Sequence, residues 1–187
     1  MSYLDYYGLR EPSRKWSLLA LLLDDRCGTK DMDILHLQKV IRYFEYLRDT
    51  QELQYSYFKL GVVSYELKEN LQTLEDSGLV EKDDTKFVLT DEGKEIAEKL
   101  SAGFDQKDLQ KLLFAKQQLN DLPSDEMMYF MYRLIPESVI NSTEFSRLEK
   151  KKTALVRNLF LKGKINSNTA AKWLDISEKD FIASLCK

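Results

Sequence analysis

The sequence predicts a mainly α fold carrying one small β-hairpin. Apolar residues recur at spacings of three and four over most of the chain, as on helices with one buried stripe. Good capping residues such as Ser64 and Thr90 stand just ahead of those stripes. One stretch differs: Leu79-Val80-Glu81 and Lys86-Phe87-Val88-Leu89 flank a polar Lys82-Asp83-Asp84-Thr85 tip, which describes two strands and their turn.

Taken in order, the opening through Pro12 is aromatic and irregular and reads as an arm. Ser13 can cap a helix over Arg14–Asp24 with Trp16, Leu19, Leu22 and Leu23 on one face, and Cys27-Gly28-Thr29-Lys30 ends it. A longer helix runs from about Met32 to Arg48, with Leu37, Val40, Ile41, Phe44 and Leu47 in its stripe. Tyr55–Val63 turns aromatic and β-branched around Gly61, which suits an extended or turn-like segment. Ser64 caps Tyr65–Ser77, whose Leu67, Leu71 and Leu74 face inward, and Gly78 stops it. After the hairpin, Thr90 caps Asp91–Ser101, where early acids complement the helix dipole.

Helix, helix, turn, helix, then a two-stranded wing closed by another helix is the winged-helix order. The stretch LEDSGLVEKDDTKFVLTDEGKEIAEKL resembles the wing of many prokaryotic winged-helix regulators. Together with LQKVIRYFEYL and YFKLGVVSYELKENLQTLEDSGLV, it resembles YwgA-like and Panacea-like winged-helix proteins over roughly residues 30–100. Those families usually have Gly-Pro where this chain has Gly61-Val62. The resemblance implies ties either to regulation or to toxin–antitoxin pairs.

Beyond Gly103 the pattern is helical again, so the expected domains are residues 1–103 and a helical domain, 104–187. Lys107–Asn120 carries Leu109, Leu112, Leu113 and Leu119. Pro123-Ser124 opens a helix reading Met127-Met128-Tyr129-Phe130-Met131-Tyr132, apolar on nearly all sides, which places it in a core or a dimer interface. Pro136 stops it, and a long helix is expected from about Thr143 to Lys162. Finally, Ser167 starts a short helix, Asp175-Ile176 turns, and Ser177-x-x-Asp180 reads as a capping box. This end resembles the helix-turn-helix of small prokaryotic antitoxins.

Composition excludes some classes and narrows others. With 187 residues, 43% hydrophobic and 32% charged, the chain can fill a core and is not disordered. No run approaches the ~20 apolar residues of a membrane helix, and Leu18–Leu23 and Met127–Tyr132 are core-sized. The N-terminus lacks the make-up of a secretory signal, and two lone cysteines, Cys27 and Cys186, suit a reducing compartment, so a cytoplasmic location is expected. His36 is the only histidine, and the seven glycines form neither GxGxxG nor GxxxxGK[ST]. Neither a catalytic residue, nor a metal site, nor a cofactor is therefore expected, and the chain reads as non-enzymatic.

Charge is unevenly spread. From Phe145 onward ten Lys/Arg stand against four acids, a surplus of six; with a net charge of −3, residues 1–144 must carry −9. Turning ~100° per residue from the inward leucines puts Tyr65, Lys68, Glu69, Gln72, Thr73 and Asp76 on the outer face of the helix before the wing. Of these, Tyr65, Lys68 and Gln72, with Lys86 at the wing, are the candidate DNA contacts, though the surrounding acids oppose a phosphate backbone. The C-terminal candidates are Lys150, Lys151, Lys152, Arg157, Lys162, Lys164, Asn168 and Lys172. Two readings follow. One is a winged-helix DNA-binding transcriptional regulator, dimeric, bound to duplex DNA. The other is a protein-interaction module, antitoxin-like or an adaptor, whose winged helix binds no DNA. A small-molecule sensor near the Tyr/Met cluster is a third possibility.

Overall fold

The computed structural model describes residues 3–23, 31–58 and 61–185. The expected end of the first long helix at Asp24, its Cys27–Lys30 stop and both cysteines lie outside the described residues. The protein is mainly helical with a small antiparallel sheet. It divides into two compact units, residues 1–56 with 63–121, and residues 57–62 with 122–187.

In the first unit the arm contains a single helical turn, α1 (Tyr3–Tyr6), and Leu9 behind it is fully buried. Helix α2 spans Pro12–Leu22, starting earlier than expected because Pro12, with its preset φ, occupies the first turn. Ser13 is thus inside the helix; rather than capping it, its hydroxyl accepts from Asn70 Nδ2 at 2.8 Å. Strand β1 (Met32–Asp33) takes the residues expected to begin the second helix, and α3 follows over Ile34–Arg48. Asp33 caps α3 through the His36 amide at 2.8 Å. The hairpin β2 (Ser56–Phe58) and β3 (Gly61–Val63) then leads to α4 (Tyr65–Asp76), capped by Ser64.

The wing is β4 (Val80–Asp83) and β5 (Lys86–Leu89), and β1 completes the sheet in the order β1-β5-β4, with Met32 opposite Phe87. Helix α5 (Asp91–Ala102) closes the winged helix. Gly93 of α5 lies so near the chain entering the wing that an added Cβ would stand 1.9 Å from the Leu79 carbonyl oxygen. Trp16 centres the core, 4.8 Å from the Phe44 ring and 4.6 Å from Phe104. Helix α6 (Gln106–Leu119) packs along α3 and buries Leu112, Ala115 and Leu119. The units therefore part after Asp121, not after Gly103.

In the second unit α7 (Ser124–Leu134) is the central helix, with every residue from Met127 to Tyr132 buried. The single chain thus already buries this helix on all sides. The long helix expected over Thr143–Lys162 is broken into α8 (Glu144–Glu149) and α9 (Lys152–Leu161). At the break the Lys151 amide bonds the Leu148 carbonyl at 2.9 Å, a tighter turn than an α-helix makes. Helices α10 (Ser167–Leu174) and α11 (Glu178–Leu185) form the short pair anticipated at the C-terminal end. Trp173 of α10 packs edge-on to Tyr129 and Phe130, and Phe181 of α11 on Phe160. Gly61 belongs here too, at φ +84°, where an added Cβ would stand 3.0 Å from the Tyr132 ring.

Candidate functional site

The outer face of α4 matches the helical-wheel expectation: Tyr65, Lys68, Glu69, Gln72 and Asp76 are exposed. Its polar side chains are partly engaged with one another. The Lys68 ammonium lies 5.5 Å from the Tyr65 ring centroid, and Gln72 Nε2 donates to Asp76 at 2.8 Å. Lys86 of the wing is held by Asp31 at 2.6 Å, which raises its pKa and lowers that of Asp31. Against these cations stand Glu69, Glu75, Glu81, Asp83 and Asp84, none of which forms an ion pair among the described residues.

Between α4 and the wing runs a groove of about 350 Å³. Its apolar lining is Ile34, Leu71 and Phe87, and its polar lining is Lys68, Gln72, Glu75, Lys82 and Thr85. Helical periodicity places α4's outer residues, but the groove needs the wing folded back beside them. That is a tertiary relation which helix periodicity does not encode.

The C-terminal cations are distributed differently from what their closeness in sequence suggests. The helix break sends the three consecutive lysines to different partners. Lys150 is exposed; Lys151 pairs with Asp125 at 3.2 Å; Lys152 reaches Glu149 at 3.6 Å and Asp175 at 3.7 Å. Lys162 pairs at 2.7 Å with the buried carboxylate of Glu126, which also accepts from Asn158 at 2.9 Å. Arg147 grips Asp125 with both terminal nitrogens, at 2.6 and 2.8 Å, and Glu144 with Nε. The Arg147 guanidinium, with Lys151 beside it, holds the Asp125 pKa down at about 2.

Of the other C-terminal candidates, Arg157 is exposed and donates to the Leu185 carbonyl at 3.4 Å. Lys164 is half-buried, while Asn168 and Lys172 are exposed on α10. Asn166 beside them caps α10 by accepting from the Thr169 amide at 2.8 Å. Asp125 and Glu126, outside the +6 segment, are the residues that charge counting missed. Both stand in the first turn of α7, where a carboxylate also complements the helix dipole.

His36 Nδ1 lies 2.8 Å from Asp33 Oδ2, the residue capping its own helix, so this imidazole serves the helix start. Among the described residues no helix is long and apolar enough to cross a membrane. Comparison with protein-family models, curated proteins and solved structures found no match for this chain.

Proposed function

We propose that this chain is a non-enzymatic protein-interaction module of winged-helix form, in which α4 and the wing make a protein contact rather than read a duplex. One observation carries the reading: α4 and the wing hold Glu69, Glu75, Asp76, Glu81, Asp83 and Asp84 against Lys68, Lys82 and Lys86, and Lys86 is already paired with Asp31. Duplex affinity arises when cations displace the counterions of phosphates, and each carboxylate brought near a phosphate works against it. The basic segment does not compensate, because Lys151, Lys152 and Lys162 are taken up by carboxylates of their own unit.

The test uses the full chain and fluorescence anisotropy on a labelled duplex at about 50 mM salt, where phosphate contacts are strongest. No binding is expected. As a positive control, Asp125→Asn with Glu126→Gln releases Lys151 and Lys162, and should produce weak, salt-sensitive retention. Tight, salt-sensitive binding by the unaltered protein would sink the proposal.

A DNA-binding regulator working through the second unit is the alternative reading, favoured by exposed Lys150, Arg157 and Lys172. On that reading, changing Lys150, Lys151 and Lys152 to Ala abolishes a gel shift. On the first reading there is no shift to abolish.

A further inference from the structure

We propose that the hollow at the C-terminal end of α3 binds a small zwitterion of the α-amino-acid type, with Arg42 taking its carboxylate and Asp49 its ammonium group. The hollow has a volume of about 320 Å³ and is lined by Arg42, Tyr46, Asp49, Thr50 and Gln51. Recognition pockets span roughly 300–1,000 Å³, so a ligand of few atoms is the right size.

Arg42 supplies the cation and the reason to expect a ligand. Its side chain is only 14% exposed, and its Nε is buried with no hydrogen-bond partner. A charge taken out of water in this way needs compensation. Glu45, one turn further along α3, gives little. Its oxygens already accept from the Glu52 and Leu53 amides, both at 2.9 Å, and from the Tyr55 hydroxyl at 2.7 Å. Arg42 Nη1 stays 3.8 Å from it, beyond hydrogen-bond reach. The guanidinium is meanwhile held over the Tyr55 ring, 4.9 Å from its centroid, while its terminal nitrogens still reach solvent. A planar guanidinium fixed with unspent donors suits a carboxylate, which it can bind through two parallel bonds.

Asp49 supplies the opposite charge. It ends α3 in the left-handed conformation, φ +55°, is exposed, and forms no ion pair among the described residues. The negative end of the α3 dipole lies there too, which favours a cation. Tyr46, 47% exposed, offers an ammonium group the face of its ring, and Thr50 and Gln51 add neutral hydrogen-bonding groups. A bare anion would be repelled by Asp49 and a bare cation by Arg42. A molecule carrying both charges complements both.

The test titrates the full-length, isotope-labelled protein with glycine, acetate and methylammonium at matched ionic strength and follows amide shifts by NMR. Glycine should move the amides of Tyr46, Asp49, Thr50 and Gln51 and saturate at millimolar concentration, as befits so small a ligand. Acetate and methylammonium should each bind about tenfold more weakly or worse. Arg42→Gln should weaken glycine binding about tenfold, and so should Asp49→Asn. The latter keeps the left-handed turn, which asparagine tolerates, and so remains informative if Arg42→Gln disturbs α3. The proposal is overturned if glycine gives no saturable shift at these amides, if acetate or methylammonium matches it, or if either folded variant binds glycine as tightly as the unaltered protein.

Discussion

The two units employ their carboxylates in opposite ways. Around α4 and the wing Glu69, Glu75, Glu81, Asp83 and Asp84 form no ion pair among the described residues, and the local shape is set by close contact of chain with chain, as where Gly93 meets Leu79. Around α7 to α10 acids pair with cations instead, and Asp125 and Glu126 hold Arg147, Lys151 and Lys162 in place. A local surplus of lysine is therefore a poor guide to a phosphate-binding surface. What matters is the unpaired remainder, and here it is negative at the wing and modestly positive on the second unit.

If the first unit is shaped by packing, its largest sensitivity should be steric. Gly93→Ala forces a methyl group into the Leu79 carbonyl and should cost about 3 kcal/mol or more. For a chain of this size that lowers the thermal midpoint by roughly 6–12 °C, measurable by calorimetry. A negligible change would mean that the wing is held less tightly than its geometry implies. Lys116→Met should come next. The fully buried Lys116 donates to the Ala20 and Leu23 carbonyls at 2.9 and 2.7 Å, and losing both bonds should cost about 2 kcal/mol in denaturant unfolding.

In the second unit, Glu126→Gln keeps an acceptor for Asn158 and leaves Lys162 free to turn to solvent, so about 1 kcal/mol is expected. A loss comparable to Gly93→Ala would show that ion pairs dominate this unit. The smallest effect is pH-dependent. Because the native Asp125 pKa lies at about 2, below its unfolded value, its contribution to stability is complete above about pH 4 and fades as pH falls towards 2. In Asp125→Asn that part of the acid limb should flatten, by less than about 1 kcal/mol since the pair is open to solvent.

Much of the fold was legible. Ser64, Gly78 and Thr90 announce the ends of α4 and α5 through local chemistry, and the wing strands follow from alternation about a polar tip. Elements decided by distant partners were not. Met32 and Asp33 continue the helical stripe in sequence yet pair with Phe87 and Lys86 across a sheet. Lys150–Lys152 read as one basic run, but a tight turn at Lys151 and carboxylates up to 26 positions away disperse it. Gly103 suggests a boundary ahead of α6, whereas the packing partner of α6 is α3. Of the candidate surface, periodicity encodes α4's outer residues; the groove and the neutralised lysines depend on tertiary contacts that it does not encode.

The hairpin at 56–63 has a practical consequence. Since residues 57–62 are grouped with 122–187, the backbone passes from one unit to the other at three points. Neither unit can be obtained from a single continuous stretch of gene. A fragment ending at Asp121 would carry Gly61 without the Tyr132 ring that backs it, and one starting at Leu122 would lack that hairpin altogether. A protease nick after Asp121 would leave residues 57–62 of the second unit on the piece that carries the first, so dissection of this molecule must proceed by point substitution rather than by truncation.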